Sequence, residues 1–139
     1  MNTSMMKEEK MMATDKIRAQ REAQQRLADE VKSLMEHEEH EGLYWSGTST
    51  DLMEALHAAY STGQLQDEQG ICLTFRTIVS RVCSVLHVDQ PHNPYECASR
   101  GRRRKGMRMN SFMERYERQI SRHHEQPIWK NISQEKTNE

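Results

Sequence analysis

The chain has 139 residues, 35% of them hydrophobic and 29% charged, with a mean hydropathy of -0.99 and a formal net charge of -1. That length suits one domain, and the polarity implies a core smaller than the length suggests. No stretch approaches the roughly 18 apolar residues of a membrane span, and the N-terminus MNTSMMKEEKMMATDK lacks the apolar run of a signal peptide, so a cytoplasmic protein without membrane contact is expected.

Residues 1–13 are polar and methionine-rich without a clean period, and disorder is expected there. From Thr14 the composition shifts to Ala, Gln, Glu, Lys, Arg and Leu, strong helix formers, so one long helix is predicted over 14–42 with Gly42 as its stop. Leu27, Val31, Leu34 and Met35 recur at i, i+4, i+7 and i+8, whereas only Ile17 and scattered alanines precede Ala23 on that face. The second half of the helix is therefore the part expected to dock. Leu43, Tyr44 and Trp45, between Gly42 and Gly47, form an apolar plug suited to anchoring a core.

The next stretch, SGTSTDLMEALHAAYSTG, has capping residues ahead of a helical pattern, Asp51 and Glu54 in its first turn and Gly63 past its end. Leu52, Ala55, Leu56 and Ala59 define one narrow face, and the small residues permit close packing. Phe75, Ile78, Val79, Val82 and Leu86 then recur at i, i+3, i+4, i+7 and i+11, the most regular pattern in the chain. The opposite face carries Arg76, Thr77, Ser80, Arg81 and Ser84, with no acidic residue between Glu68 and Asp89. Pro91 and Pro94 end that helix, and the glycines and arginines of SRGRRRKGMR predict an extended or hairpin-like basic loop. A last helix begins at Asn110 or Ser111 with Phe112, Met113, Tyr116 and Ile120 inward, leaving 43–126 as one module and 127–139 as a tail.

Charge is segregated along the chain. Residues 1–42 carry 7 basic and 10 acidic side chains and residues 43–90 carry 2 and 5, whereas residues 91–126 carry 9 basic and 4 acidic. Within that last stretch Arg100, Arg102, Arg103, Arg104, Lys105 and Arg108 place six cations in nine positions with no acidic neighbour. Such a run repels itself and calls for a polyanion, most simply the phosphates of duplex DNA. Arg76 and Arg81 are candidates for base reading, since a guanidinium bonds guanine O6 and N7 together, with Thr77, Ser80 and Ser84 completing the face.

Other chemistry is thinly represented. Cys72, Cys83 and Cys97 are odd in number and lie at spacings of 11 and 14, which suits reduced thiols rather than a disulfide framework. Cys83, His87, His92 and Cys97 are the best metal-ligating set, but they lack the closely spaced pairs of a structural zinc site, so no metal and no cofactor are expected. HEEH at 37–40 does not have the spacing of a zinc-protease motif. No G-x-S-x-G, Walker loop or G-x-G-x-x-G occurs, and no catalytic residues or enzymatic activity are expected.

Trp45 followed by SGTSTDLMEALHAAYSTG, the helix FRTIVSRVCSVLHVD, Pro94-Tyr95 and a basic stretch ending in RMNSFMERYERQI together resemble the C-terminal part of the RteC family, regulators on conjugative transposons of Bacteroides and their relatives. The resemblance covers about residues 43 to 120 and rests on the order and spacing of four blocks. It implies a mainly α fold, a winged-helix-like module that binds DNA upstream of an excision operon and switches on its transcription, here preceded by one long N-terminal helix. Family members look longer, with a substantial N-terminal domain. The long N-terminal helix is expected to lie across the module or to pair with a second copy. The rival expectation is a truncated relative acting as a protein-interaction module, its long helix binding or modulating a full-length regulator.

Overall fold

The computed structural model describes residues 3–104, 110–121, 128 and 131–134, the side chains of residues 3–13 and 121 apart. Five helices dominate it: α1 (Thr3–Met35), α2 (Ser49–Ser61), α3 (Phe75–Leu86), α4 (Pro94–Arg102) and α5 (Phe112–Ser121). The mainly α class is what the chain adopts. Among the described residues the strands are β1 (Tyr44–Trp45) and β2 (Ile132–Ser133), paired antiparallel with Tyr44 opposite Ser133 and Trp45 opposite Ile132. No helix among the described residues is long and apolar enough to cross a membrane.

The first helix starts well before Thr14, at Thr3, because Met, Lys and Glu at positions 5–12 are themselves good helix formers. It ends at Met35 and not at Gly42. A 3-10 turn, Glu39–Glu41, follows, and Gly42 closes that turn at φ 75°, a left-handed conformation that glycine adopts without penalty. The docked part of α1 is the predicted one: Ala23, Leu27, Val31 and Leu34 are buried, whereas residues 14–22 are exposed.

Helix α2 is the centre of the fold, because α1, α3, α4 and α5 all pack on it. Thr48 caps its start by accepting from the Asp51 N–H at 3.1 Å. Its burial extends beyond the narrow face expected, taking in Met53, Asp51 and Glu54 besides Leu52, Ala55, Leu56 and Ala59. Glu54 accepts from the backbone N–H groups of Phe112 (2.9 Å) and Met113 (3.0 Å), satisfying the open N-terminus of α5. One turn earlier, Asp51 Oδ1 accepts from Arg104 (3.2 Å) and Arg115 (2.5 Å). Asp51 and Glu54 of α2 are thus buried joints.

Helix α3 buries Phe75, Ile78, Val79, Val82 and Leu86, as its period requires. It ends at His87, held at φ 58° while its ring Nδ1 donates to the Leu43 carbonyl at 2.8 Å and stacks on Tyr44 at 4.4 Å. That contact seats the predicted apolar plug: Leu43 is buried, Trp45 packs against Phe112, and the Trp45 Nε1–H donates to the Thr48 carbonyl.

Two expectations are corrected here. The first part of the expected basic loop is instead helix α4, which carries Arg100 and Arg102, while residues 105–109 lie outside the described residues. Asn93 accepts from the Glu96 N–H, Pro94 occupies the first turn with a preset φ, and Cys97, Ala98 and Gly101 are buried against α2. Of the segment expected to be a tail, the described residues 128 and 131–134 are tied to the fold: Ile128 is buried, its N–H reaches Glu30, and β2 pairs with β1. The remaining polar anchor is Glu30 on α1, whose Oε2 accepts from the Tyr116 hydroxyl at 2.7 Å and from the Ile128 N–H at 3.3 Å. Its Oε1 is buried without a hydrogen-bond partner among the described residues.

A Cβ at Gly101 would lie 2.8 Å from Glu54 Oε1, 3.1 Å from Glu54 Cβ and 3.2 Å from Thr50 Cγ2. Helix propensity alone favours Ala over Gly by about 1 kcal/mol. We expect Gly101→Ala instead to lower unfolding free energy by about 1–3 kcal/mol in urea melts, because the clash is with a buried carboxylate that already holds two N–H groups. Burial raises the pKa of Glu30 above its ordinary value of 4.5, with Tyr116, Ile128 and Arg26 opposing the shift. A raised folded pKa means that the group's contribution is fully present below its unfolded value and is lost as pH climbs through the folded one. Glu30→Gln should therefore stabilise the protein by about 1 kcal/mol near neutral pH and lose that advantage in acid, read from thermal melts across the pH range.

Candidate nucleic-acid interface

The face of α3 expected to read bases makes several internal hydrogen bonds, although Arg76, Thr77, Ser80 and Ser84 are exposed. The Arg81 Nε–H donates to the Met35 carbonyl at 2.9 Å and its Nη2 to the His37 carbonyl at 2.6 Å, with Glu38 Oε1 at 3.4 Å. This guanidinium caps the C-terminus of α1 and turns the chain there, which is why α1 stops at Met35. Ser84 donates to Glu39 at 3.4 Å, Ser80 accepts from Gln90 at 3.1 Å, and Thr77 bonds the capping Thr74 through both its backbone and its hydroxyl. Arg76 remains exposed. The expected carboxylate-free face is corrected accordingly: the acidic turn at 38–41 is remote in sequence and is folded onto it.

The basic group divides in three. Arg104 is drawn inward to the buried Asp51, 7% exposed at its side chain, and is thus a structural counter-ion. Arg100, Arg102 and Arg103 are exposed around the C-terminal end of α4, where cations also complement the helix dipole, and among the described residues none of the three pairs with a carboxylate. Lys105 and Arg108 lie outside the described residues.

Arg102 is fixed by an unusual neighbour. Its Nη1 donates to His57 Nδ1 at 2.7 Å, so the imidazole acts as an acceptor. Burial and then the adjacent guanidinium hold the His57 pKa below its ordinary value, which keeps the ring neutral and the arginine's charge uncompensated. His57 belongs to an aromatic cluster with Tyr60, Phe75 and Tyr95. Behind Arg102 a cavity of about 490 Å³ opens between α1, α2, α4 and α5, with Glu114 and Glu117 on its wall. Burial and repulsion by Glu114 raise the Glu117 pKa.

His57 and Tyr95 do not stand out in the sequence. For Tyr95 the signal available was its seven-residue interval to Arg102, which places those two on one stripe once the segment is known to be helical; nothing in the sequence pointed to His57. The Cys83, His87, His92 and Cys97 set does not assemble. Cys83 and Cys97 are buried, burial pushing the Cys83 thiol up to about 11, while His87 is bonded to Leu43; no group of three or more metal-ligating side chains comes together among the described residues.

If Arg81 caps α1, Arg81→Ala should lower stability by about 1–3 kcal/mol in denaturant titration, the worth of charged hydrogen bonds to otherwise open carbonyls. Arg81→Lys should recover part of this, since an ammonium reaches one carbonyl but lacks the fork. A neutral effect of Arg81→Ala would return that residue to the surface.

No protein-family model matches the chain, and no curated protein or solved structure is significantly similar to it.

Proposed function

We propose that this protein is a DNA-binding regulator, not an enzyme, whose phosphate contacts come from the C-terminal end of α4. The observation that carries this is the exposure of Arg100, Arg102 and Arg103 within four positions, without a carboxylate partner among the described residues, while nearby Arg104 and Arg115 are committed to Asp51. Surplus cations gathered at one helix end suit the regular charge of a nucleic-acid backbone, and releasing condensed counter-ions supplies the affinity. Lys105 and Arg108 continue the run in sequence. Together with the RteC resemblance, the reading extends to control of the excision genes of a conjugative transposon.

The winged-helix-like plan belongs to this reading only in part. Helices α2 and α3 are joined by a connection carrying the Gln66–Cys72 bridge, but α3 is followed by helix α4, so the basic positions act from a helix end rather than from a wing. With Arg81 engaged at α1, base reading from α3 is limited to Arg76 and its exposed neighbours.

A second reading rests on the exposure of residues 15–22 of α1, where Ile17 is 56% exposed on a helix that extends further to Thr3. Helical turns this exposed draw little stability from the core and gain from a partner, either a second copy or a related regulator.

Gel retardation of a random duplex should show binding that weakens steeply between about 50 and 200 mM salt. Changing Arg100 and Arg103 to Ala should reduce the slope of log affinity against log salt by about 0.9 for each phosphate that is no longer neutralised. Salt-independent binding, or a slope unmoved in the variant, removes the phosphate contacts from α4. An absence of binding together with a dimer in sedimentation favours the second reading.

A further inference from the structure

Tyr95 is one of three large apolar side chains that are strongly exposed among the described residues, at 53%. It is nevertheless not loose. Its ring centroid lies 4.6 Å from that of the buried Phe75 and 5.8 Å from that of His57, so the ring is held by neighbours while about half of the residue stays open to solvent. A ring held in this way loses little freedom when a second flat group stacks on it.

The surroundings define that second group. Arg102 lies seven residues on, on the same stripe of α4 and roughly 10 Å along the axis, with its guanidinium anchored to the edge of His57. Arg76, beside Phe75 on α3, is exposed, as are Arg100 and Arg103. The acidic neighbour in sequence, Glu96, is turned about 100° round the helix from Tyr95. An apolar protein side chain would use the ring but leave the cations unanswered, whereas an unpaired nucleotide offers both a π-face and a phosphate.

We propose that Tyr95 is a stacking platform for an unpaired nucleobase, so that the surface formed by Tyr95, Arg102 and Arg103 takes single-stranded DNA by its bases as well as by its backbone. This rests on the DNA-binding reading above and adds to it a class of ligand, since the bases of an intact duplex are stacked on one another and present no face to a side chain. Base stacking is tolerant of sequence, so the site selects strandedness rather than base order.

The test uses the full chain and a fluorescein-labelled 20-nucleotide strand of mixed sequence, alone and as a duplex, followed by anisotropy. Tyr95→Ala should weaken single-strand binding by roughly tenfold or more, as expected for one stacked base, with an unchanged salt slope and less than about a twofold effect on the duplex. Tyr95→Phe should stay within about twofold of wild type on both ligands, since it keeps the π-face. Tyr95→Leu, which keeps the packing on Phe75 without a flat face, should behave as Ala does and guards against loss of folding. In the wild-type protein, a strand carrying 5-iodo-deoxyuridine should photo-crosslink to the peptide that contains Tyr95.

Equal weakening on both ligands, an unaffected single strand, retention by Leu or a crosslink elsewhere would each overturn the platform while leaving phosphate binding in place. If neither DNA form binds the wild-type protein, the DNA-binding reading fails and the platform fails with it.

Discussion

The buried carboxylate of Glu54 is the constraint on which the arrangement of helices depends. A charge 1% exposed is tolerable only with strong donors, and here both oxygens take backbone N–H groups from the first turn of α5. The same carboxylate fits beneath Gly101, where a β-carbon would collide with it, so α4 must approach α2 at a glycine. One side chain therefore fixes where α5 begins and how closely α4 lies. Asp51, one turn away, adds Arg104 and Arg115, tying the segment after α4 and the body of α5 to the same helix.

This internal use of charge decides what is left for the surface. Residues 91–126 hold a marked excess of basic side chains, but the buried acid of α2 takes two of them and a neutral histidine orients a third. Arginine suits such partition, because its fork can answer a carboxylate or a ring nitrogen while its charge persists at any ordinary pH. Among the described residues, Arg100, Arg102 and Arg103 face outward at the end of α4, with Arg118 exposed on α5. The long α3 face, the more regular element, contributes less because its central arginine caps another helix.

The aromatic cluster joins the interior to that surface. Phe75 is buried at the start of α3, His57 lies part-way out on α2, and Tyr95 caps the group from α4, so three helices share one set of rings. Edge and tilted contacts of this kind fix ring orientation more firmly than aliphatic packing does. His57 has two roles at once, as a ring within the cluster and as an acceptor for Arg102.

Periodicity by itself determined the helical class, the docking half of α1, the inward sets of α2, α3 and α5, and the capping of α2 by its Ser/Thr-rich start, because each of these depends on residues a few positions apart. It could not disclose α4, whose inner face is made of Cys97, Ala98 and Gly101; small residues give almost no hydropathy signal and are effective only against a helix close enough to touch. Nor could it show that Ile128 and β2 return to the core, since their partners Glu30 and β1 lie far away in the chain. The distribution of charge was legible as a sum along the sequence but not as an inventory of free cations. Whether Arg81, Arg104 or Arg102 faces solvent, a carbonyl, a carboxylate or an imidazole depends on which distant group folding brings to it. Only the tertiary structure decides that, because a guanidinium takes whichever partner the packed backbone places within its reach.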